Sequence, residues 1–101
     1  MTITEKNAPV VILSEYENGL ALAKKVYARY ELYGYVDKDK NVVIPFSFEM
    51  AHPFKEGMAV VRKDGKYGYI NTSGDLVVPC IYYNAVDFNE GVAHVFKDGH
   101  P

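Results

Sequence analysis

The chain has 101 residues, 49% hydrophobic and 14% aromatic, with 11 Lys and Arg against 13 Asp and Glu for a formal net charge of −2. That length suits one domain with a modest core, and the evenly spread charge lacks the basic stripe that binding to a phosphate backbone demands, which disfavours nucleic acid as a partner. A lone cysteine, Cys80, excludes an intrachain disulfide and a multi-cysteine metal cluster.

A single thiol suits a reducing compartment. The start, Met1-Thr-Ile-Thr-Glu-Lys-Asn-Ala-Pro, shows no basic region followed by an apolar one. The apolar runs Val10–Leu13 and Met58–Val61 fall far short of the roughly 20 residues of a membrane helix. The expectation is a soluble, cytoplasmic protein without a membrane partner. Nine Tyr and five Phe with no Trp lean the chain toward strands.

Residues 1–8 are polar and aperiodic, which reads as a frayed terminus inside an N-terminal cap, 1–15. Pro9 opens Val10-Val-Ile-Leu13, a strand whose first position tolerates a missing N–H. Tyr16-Glu-Asn-Gly-Leu-Ala is the first, divergent copy of a hexad that returns as Phe54-Lys-Glu-Gly-Met-Ala and Phe88-Asn-Glu-Gly-Val-Ala, the last two 34 residues apart. A fixed period of this length marks a repeat architecture. It divides the chain into a divergent repeat with an insertion (16–53), a complete repeat (54–87) and a partial one (88–101).

Between Leu20 and Leu32 local and global signals disagree. Leu20-Ala-Leu-Ala-Lys-Lys-Val-Tyr-Ala-Arg-Tyr-Glu-Leu is rich in helix formers, yet its equivalents in the other copies are strands. From Ala21 to Tyr33 is 12 residues, against 8 from Ala59 to Tyr67. The favoured reading is a hairpin lengthened by four residues; a helix is the competing one.

Tyr33-Gly-Tyr-Val-Asp and Val42-Val-Ile-Pro45 follow as strands, the second stopped by proline, with Phe46–Pro53 a connector. In the central copy, Met58–Lys63 and Lys66–Asn71 flank Asp64-Gly65, the signature of a type I′ hairpin turn. Thr72-Ser-Gly-Asp75 is a second turn, with Gly74 left-handed. Leu76-Val-Val-Pro79 is the third strand, and Cys80–Asp87 an irregular return. In the last copy Phe96-Lys-Asp-Gly99 calls for a returning strand, so the arm Val92–Lys97 lacks its covalent partner.

The hexad, the Asp-Gly turn, the aromatic-Gly-Tyr-Ile strand, the Ser-Gly-Asp turn and the Val-Val-Pro run together resemble the WG repeats, also called KWG repeats, of many bacterial proteins. Phe54, Glu56, Gly57, Ala59, Val61, Gly65, Tyr67, Gly68, Ile70, Gly74 and Pro79 fall on the family's positions, as do Phe88, Glu90, Gly91, Ala93, Val95 and Gly99. Tyr33 and Tyr67 stand where the family has its tryptophan. The resemblance covers residues 16–99. It implies an all-β array with no known catalytic activity, mediating protein contacts.

The physics points the same way, because a 34-residue unit of three short strands cannot bury its apolar face alone. The expected fold is all-β, antiparallel three-stranded meander repeats of 34 residues in a short array or half-open barrel. His52, His94 and His100 lack metal-site spacing, and Cys80 has no nearby histidine to activate it. Glu56 and Glu90 are expected to accept backbone N–H groups at the turns into Gly57 and Gly91 rather than to form a catalytic pair. The glycines follow hairpin spacing, so no cofactor cradle and no catalytic set is indicated.

Tyr33, Tyr35, Tyr67 and Tyr69 suit a packing ladder. Tyr27, Tyr30, Tyr82 and Tyr83 are less bound by the period, and with Val92, His94 and Phe96 of the unpartnered arm they are the candidate interface residues. The expected function is a non-catalytic protein–protein interaction module, an adaptor or small inhibitor. The alternative is carbohydrate or cell-wall binding through the tyrosine rows. The arm is expected to accept a strand from a partner protein, from a second copy as a homodimer, or from Val10–Leu13 of its own chain.

Overall fold

The structure, a computed structural model, describes residues 8–97. Among them are ten strands and no helix: β1 (Val10–Ile12), β2 (Ala21–Val26), β3 (Glu31–Val36), β4 (Val42–Phe48), β5 (Met50–Ala51), β6 (Met58–Lys63), β7 (Lys66–Asn71), β8 (Leu76–Tyr82), β9 (Asn84–Asn89) and β10 (Val92–Phe96). They form antiparallel sheets β1-β2-β3-β4 and β5-β6-β7-β8 and a ribbon β9-β10. The sheets do not close into a barrel; they follow one another in an array of 45 × 28 × 18 Å. Residues 1–7 and 98–101, with the readings that fell on them, lie outside the description; Ala8, read as part of the frayed end, is buried.

The disputed stretch is a hairpin. Ala21 faces Val36 and Lys24 faces Tyr33, as Ala59 faces Ile70 and Arg62 faces Tyr67. The insertion adds two residues to each arm, which leaves every side chain on its own face. Tertiary burial overrides helix propensity here: Ala21 and Ala23 are wholly buried, packed with Val36, Tyr16 and Phe46.

The prolines do not stop their strands, contrary to expectation. Two residues of β3, Tyr33 to Tyr35, face four of β4, Phe48 to Ile44; likewise Tyr67 and Tyr69 face Tyr82 and Val78. Pro45 and Pro79 sit in these bulges, where the ladder is already interrupted and the missing N–H costs little. The same bulge explains the glycine of Tyr-Gly-Tyr. A Cβ on Gly68 would lie 2.4 Å from the Val78 carbonyl oxygen, and one on Gly34 2.6 Å from that of Ile44.

The segments read as a connector and an irregular return are strands as well. β4 bends at Glu49 into β5, which pairs with β6 of the next unit, and β8 bends at Tyr83 into β9, which pairs with β10. Each meander thereby gains a fourth strand from the unit before it. β1 plays that part for the first unit: Ile12 faces Ala23 as Ala51 faces Val61 and Ala85 faces Val95. Val10–Ile12 is committed to β2, so closure of the C-terminal arm by the chain's own N-terminal strand is ruled out.

Apolar faces meet between units. Leu22, Tyr35, Ile44 and Phe48 of the first unit pack on Phe54, Ala59, Val61 and Ile70 of the second. Val60 and Tyr69 then pack on Ala85, Phe88, Ala93 and Val95 of the third. Phe54 lies 4.7 Å from Tyr35 between ring centroids, and Phe88 lies 6.3 Å from Tyr69. The Tyr35 hydroxyl donates to the His52 carbonyl at 2.7 Å, and the Tyr69 hydroxyl to that of Val86. These acceptors, too, are 34 positions apart (86 − 52).

Candidate functional site

The hexads are tight turns with an unusual backbone. Asn18, Glu56 and Glu90 have φ of 56°, 54° and 51°, each followed by a glycine between 76° and 78°. Glu17 bridges Leu20 and Lys55 bridges Met58, so these are two-residue hairpin turns of the I′ kind, as is Asp64-Gly65 at 52° and 78°. Glutamate is rarely left-handed, a strain of order 1–2 kcal/mol. A bond between units offsets it: the Glu56 carboxylate accepts the N–H groups of Glu90 at 2.7 Å and Gly91 at 3.0 Å. The expected role of Glu56 is correct in kind, but the turn it serves is the next unit's.

A second carboxylate orders the hairpin tip of the central unit. Glu49, at the bend between β4 and β5, accepts the Gly65 N–H at 2.9 Å and Arg62 Nε at 3.0 Å. The Gly65 bond, followed by the Arg62 interaction, holds the Glu49 carboxyl below its usual range. Arg62 in turn lies 6.0 Å from the centre of the Tyr67 ring. Arg62, Gly65, Tyr67, Tyr83 and Asn84 line a shallow groove of about 330 Å³.

Tyr83 is 59% exposed there, while Tyr82 is half-buried opposite Tyr67. Tyr27 and Tyr30 stack with centroids 4.7 Å apart at the first hairpin tip, Tyr30 being 58% exposed. Val92, His94 and Phe96 alternate on β10 with Ala93 and Val95, which pack inward. His94 occupies the position of the buried Val60, and it is exposed. The seven candidates thus divide among the first hairpin tip, the Tyr83 groove and the last ribbon. Arg62 and Glu49 were missed, because a bend that brings Glu49 beside the Asp64-Gly65 turn leaves no local sequence mark.

Other groups have structural explanations. His52 Nδ1 lies 2.7 Å from Asp87 Oδ1, linking the central unit to the last ribbon. Cys80 packs against the core between the first two units, and burial pushes its thiol pKa up, against the direction a nucleophile needs. Burial also raises the pKa values of Tyr35 and Tyr69, which keeps both hydroxyls as donors to their carbonyls.

This fold and its surface define a class, the open antiparallel β-repeat array whose units share strands across their boundaries. The sequence profile of the family described as "WG containing repeat" matches residues 33–67 and again 67–99. The chain belongs to the WG-containing repeat family. No curated protein and no solved structure matches it.

Proposed function

We propose that the protein is a non-catalytic protein-interaction module, an adaptor or a small inhibitor of another protein, which engages its partner through the Tyr83 groove. The observation carrying this reading is the exposed Tyr83 beside Tyr67 and an Arg62 already held by Glu49. Tyrosine and arginine supply large contact area with polar ends and dominate interface hot spots. A guanidinium fixed before binding loses less side-chain freedom on contact.

The test is capture of a binding protein by the immobilised chain, compared with Tyr83→Ala after circular dichroism has shown the variant folded. The expected outcome is a captured protein whose recovery falls at least about tenfold, the loss of a hot-spot side chain. Equal capture by both chains overturns the reading. Glycan-array binding abolished by Tyr82→Ala or Tyr83→Ala, without protein capture, replaces it with carbohydrate recognition.

A further inference from the structure

The repeat permits a comparison of equivalent positions in the central and last units. In the central unit β6 lies between β5 and β7, and Phe54, Ala59 and Val61 are 1%, 2% and 0% exposed. In the last unit β10 pairs with β9 on one edge, and among the described residues its other edge faces no strand. The equivalents Phe88, Ala93 and Val95 are only half-buried. The difference is β7, whose Ile70 lies opposite Ala59 with no exposure and whose Gly68 lies opposite Val61.

We propose that the free edge of β10 accepts an antiparallel strand from a second polypeptide carrying the pattern Gly-Tyr-Ile or Gly-Tyr-Val, with the branched aliphatic residue opposite Ala93 and the glycine opposite Val95. This deepens the interaction reading and rests on it. The chain displays the occupant's chemistry twice, since Gly34-Tyr-Val36 pairs with Ala21–Ala23 as Gly68-Tyr-Ile70 pairs with Ala59–Val61. The aliphatic side chain closes the core beside Phe88, and the main chain satisfies the open row of N–H and C=O groups. The Val60 and Arg62 carbonyls accept from His52 and Glu49 on the β5 side. Alternation therefore turns Ala59 and Val61 toward β7 and, by equivalence, the N–H groups of Ala93 and Val95 toward the free edge.

A second copy cannot supply this strand without dismantling a sheet, because β3 and β7 are each paired on both sides. The experiment titrates the 101-residue chain with the end-blocked peptide Lys-Tyr-Gly-Tyr-Ile-Asn and reads amide exchange. The expected result is saturable binding that slows exchange at Ala93 and Val95, weakened at least about tenfold by Ile70→Asp or Gly68→Val in the peptide. Unchanged exchange at those two amides, equal binding of the Ile70→Asp peptide, or protection of both amides through a dimer of the chain without peptide overturns the inference. Should peptide binding fail while Tyr83-dependent capture persists, strand addition falls and the interaction reading stands.

Discussion

Gly68→Ala tests the bulge that defines each unit. The added methyl would sit 2.4 Å from the Val78 carbonyl oxygen and 2.8 Å from Pro79 carbonyl atoms, against the 3.4 Å at which ordinary contact begins. β8 must retreat by about 1 Å (3.4 − 2.4), and the atoms to be moved are backbone. Overpacking of this kind costs roughly 1–3 kcal/mol. Weakening the ladder beside Tyr67–Tyr82 and Tyr69–Val78 adds up to about 1 kcal/mol per bond. Loss of glycine's freedom in the unfolded chain offsets roughly 0.4–1 kcal/mol.

The net loss is about 2–3 kcal/mol, a large part of the roughly 5–15 kcal/mol that holds a domain. Thermal unfolding followed by far-ultraviolet circular dichroism should show a Tm at least about 10 °C lower. Gly57→Ala is the control, with φ of +78° and nothing within 4 Å of the new methyl. It carries only left-handed strain, about 1 kcal/mol. A Gly68→Ala chain as stable as the Gly57→Ala chain would refute the reasoning.

Phe54→Ala should cost about 3–5 kcal/mol, since the ring is 1% exposed between two units; Phe88→Ala, starting half-buried, should cost clearly less in the same urea titration. Glu49 has a depressed pKa in the folded state, so its contribution is present above the ordinary value of 4.5 and is lost as the pH falls through the lowered one. A stability–pH profile of Glu49→Gln should therefore lack part of the wild-type loss on acidification, and superimposable profiles would contradict this. The Cys80 thiol, raised by burial, should alkylate slowly in the native chain at neutral pH and rapidly in urea.

What was legible in the sequence was the interval. Phe54 to Phe88 and Gly34 to Gly68 gave the period directly, and Asp64-Gly65 gave its turn. The strands through Pro45 and Pro79 were hidden because proline normally removes a ladder donor, and only pairing shows that these residues sit in bulges. The Glu56 turn was hidden for a related reason: a left-handed glutamate looks unfavourable until its carboxylate meets the Glu90 and Gly91 amides of another unit. Helix formers at Ala21–Lys25 spoke for a helix, whereas burial against Tyr16 and Phe46 decided for a strand. For the candidate surface, Tyr30 and Tyr83 were found because they fall outside the period. Arg62 and Glu49, which complete the groove, belong to different units and meet only in the fold.

The central claim is that a unit is stable only through the face its neighbour covers. Its direct test is thermal unfolding of the isolated fragment 54–101, which lays bare Ala59, Val61 and Ile70, all at or below 2% exposed in the full chain. The account predicts a fragment without a cooperative transition. A sigmoidal transition within about 5 °C of the full chain's Tm would contradict it.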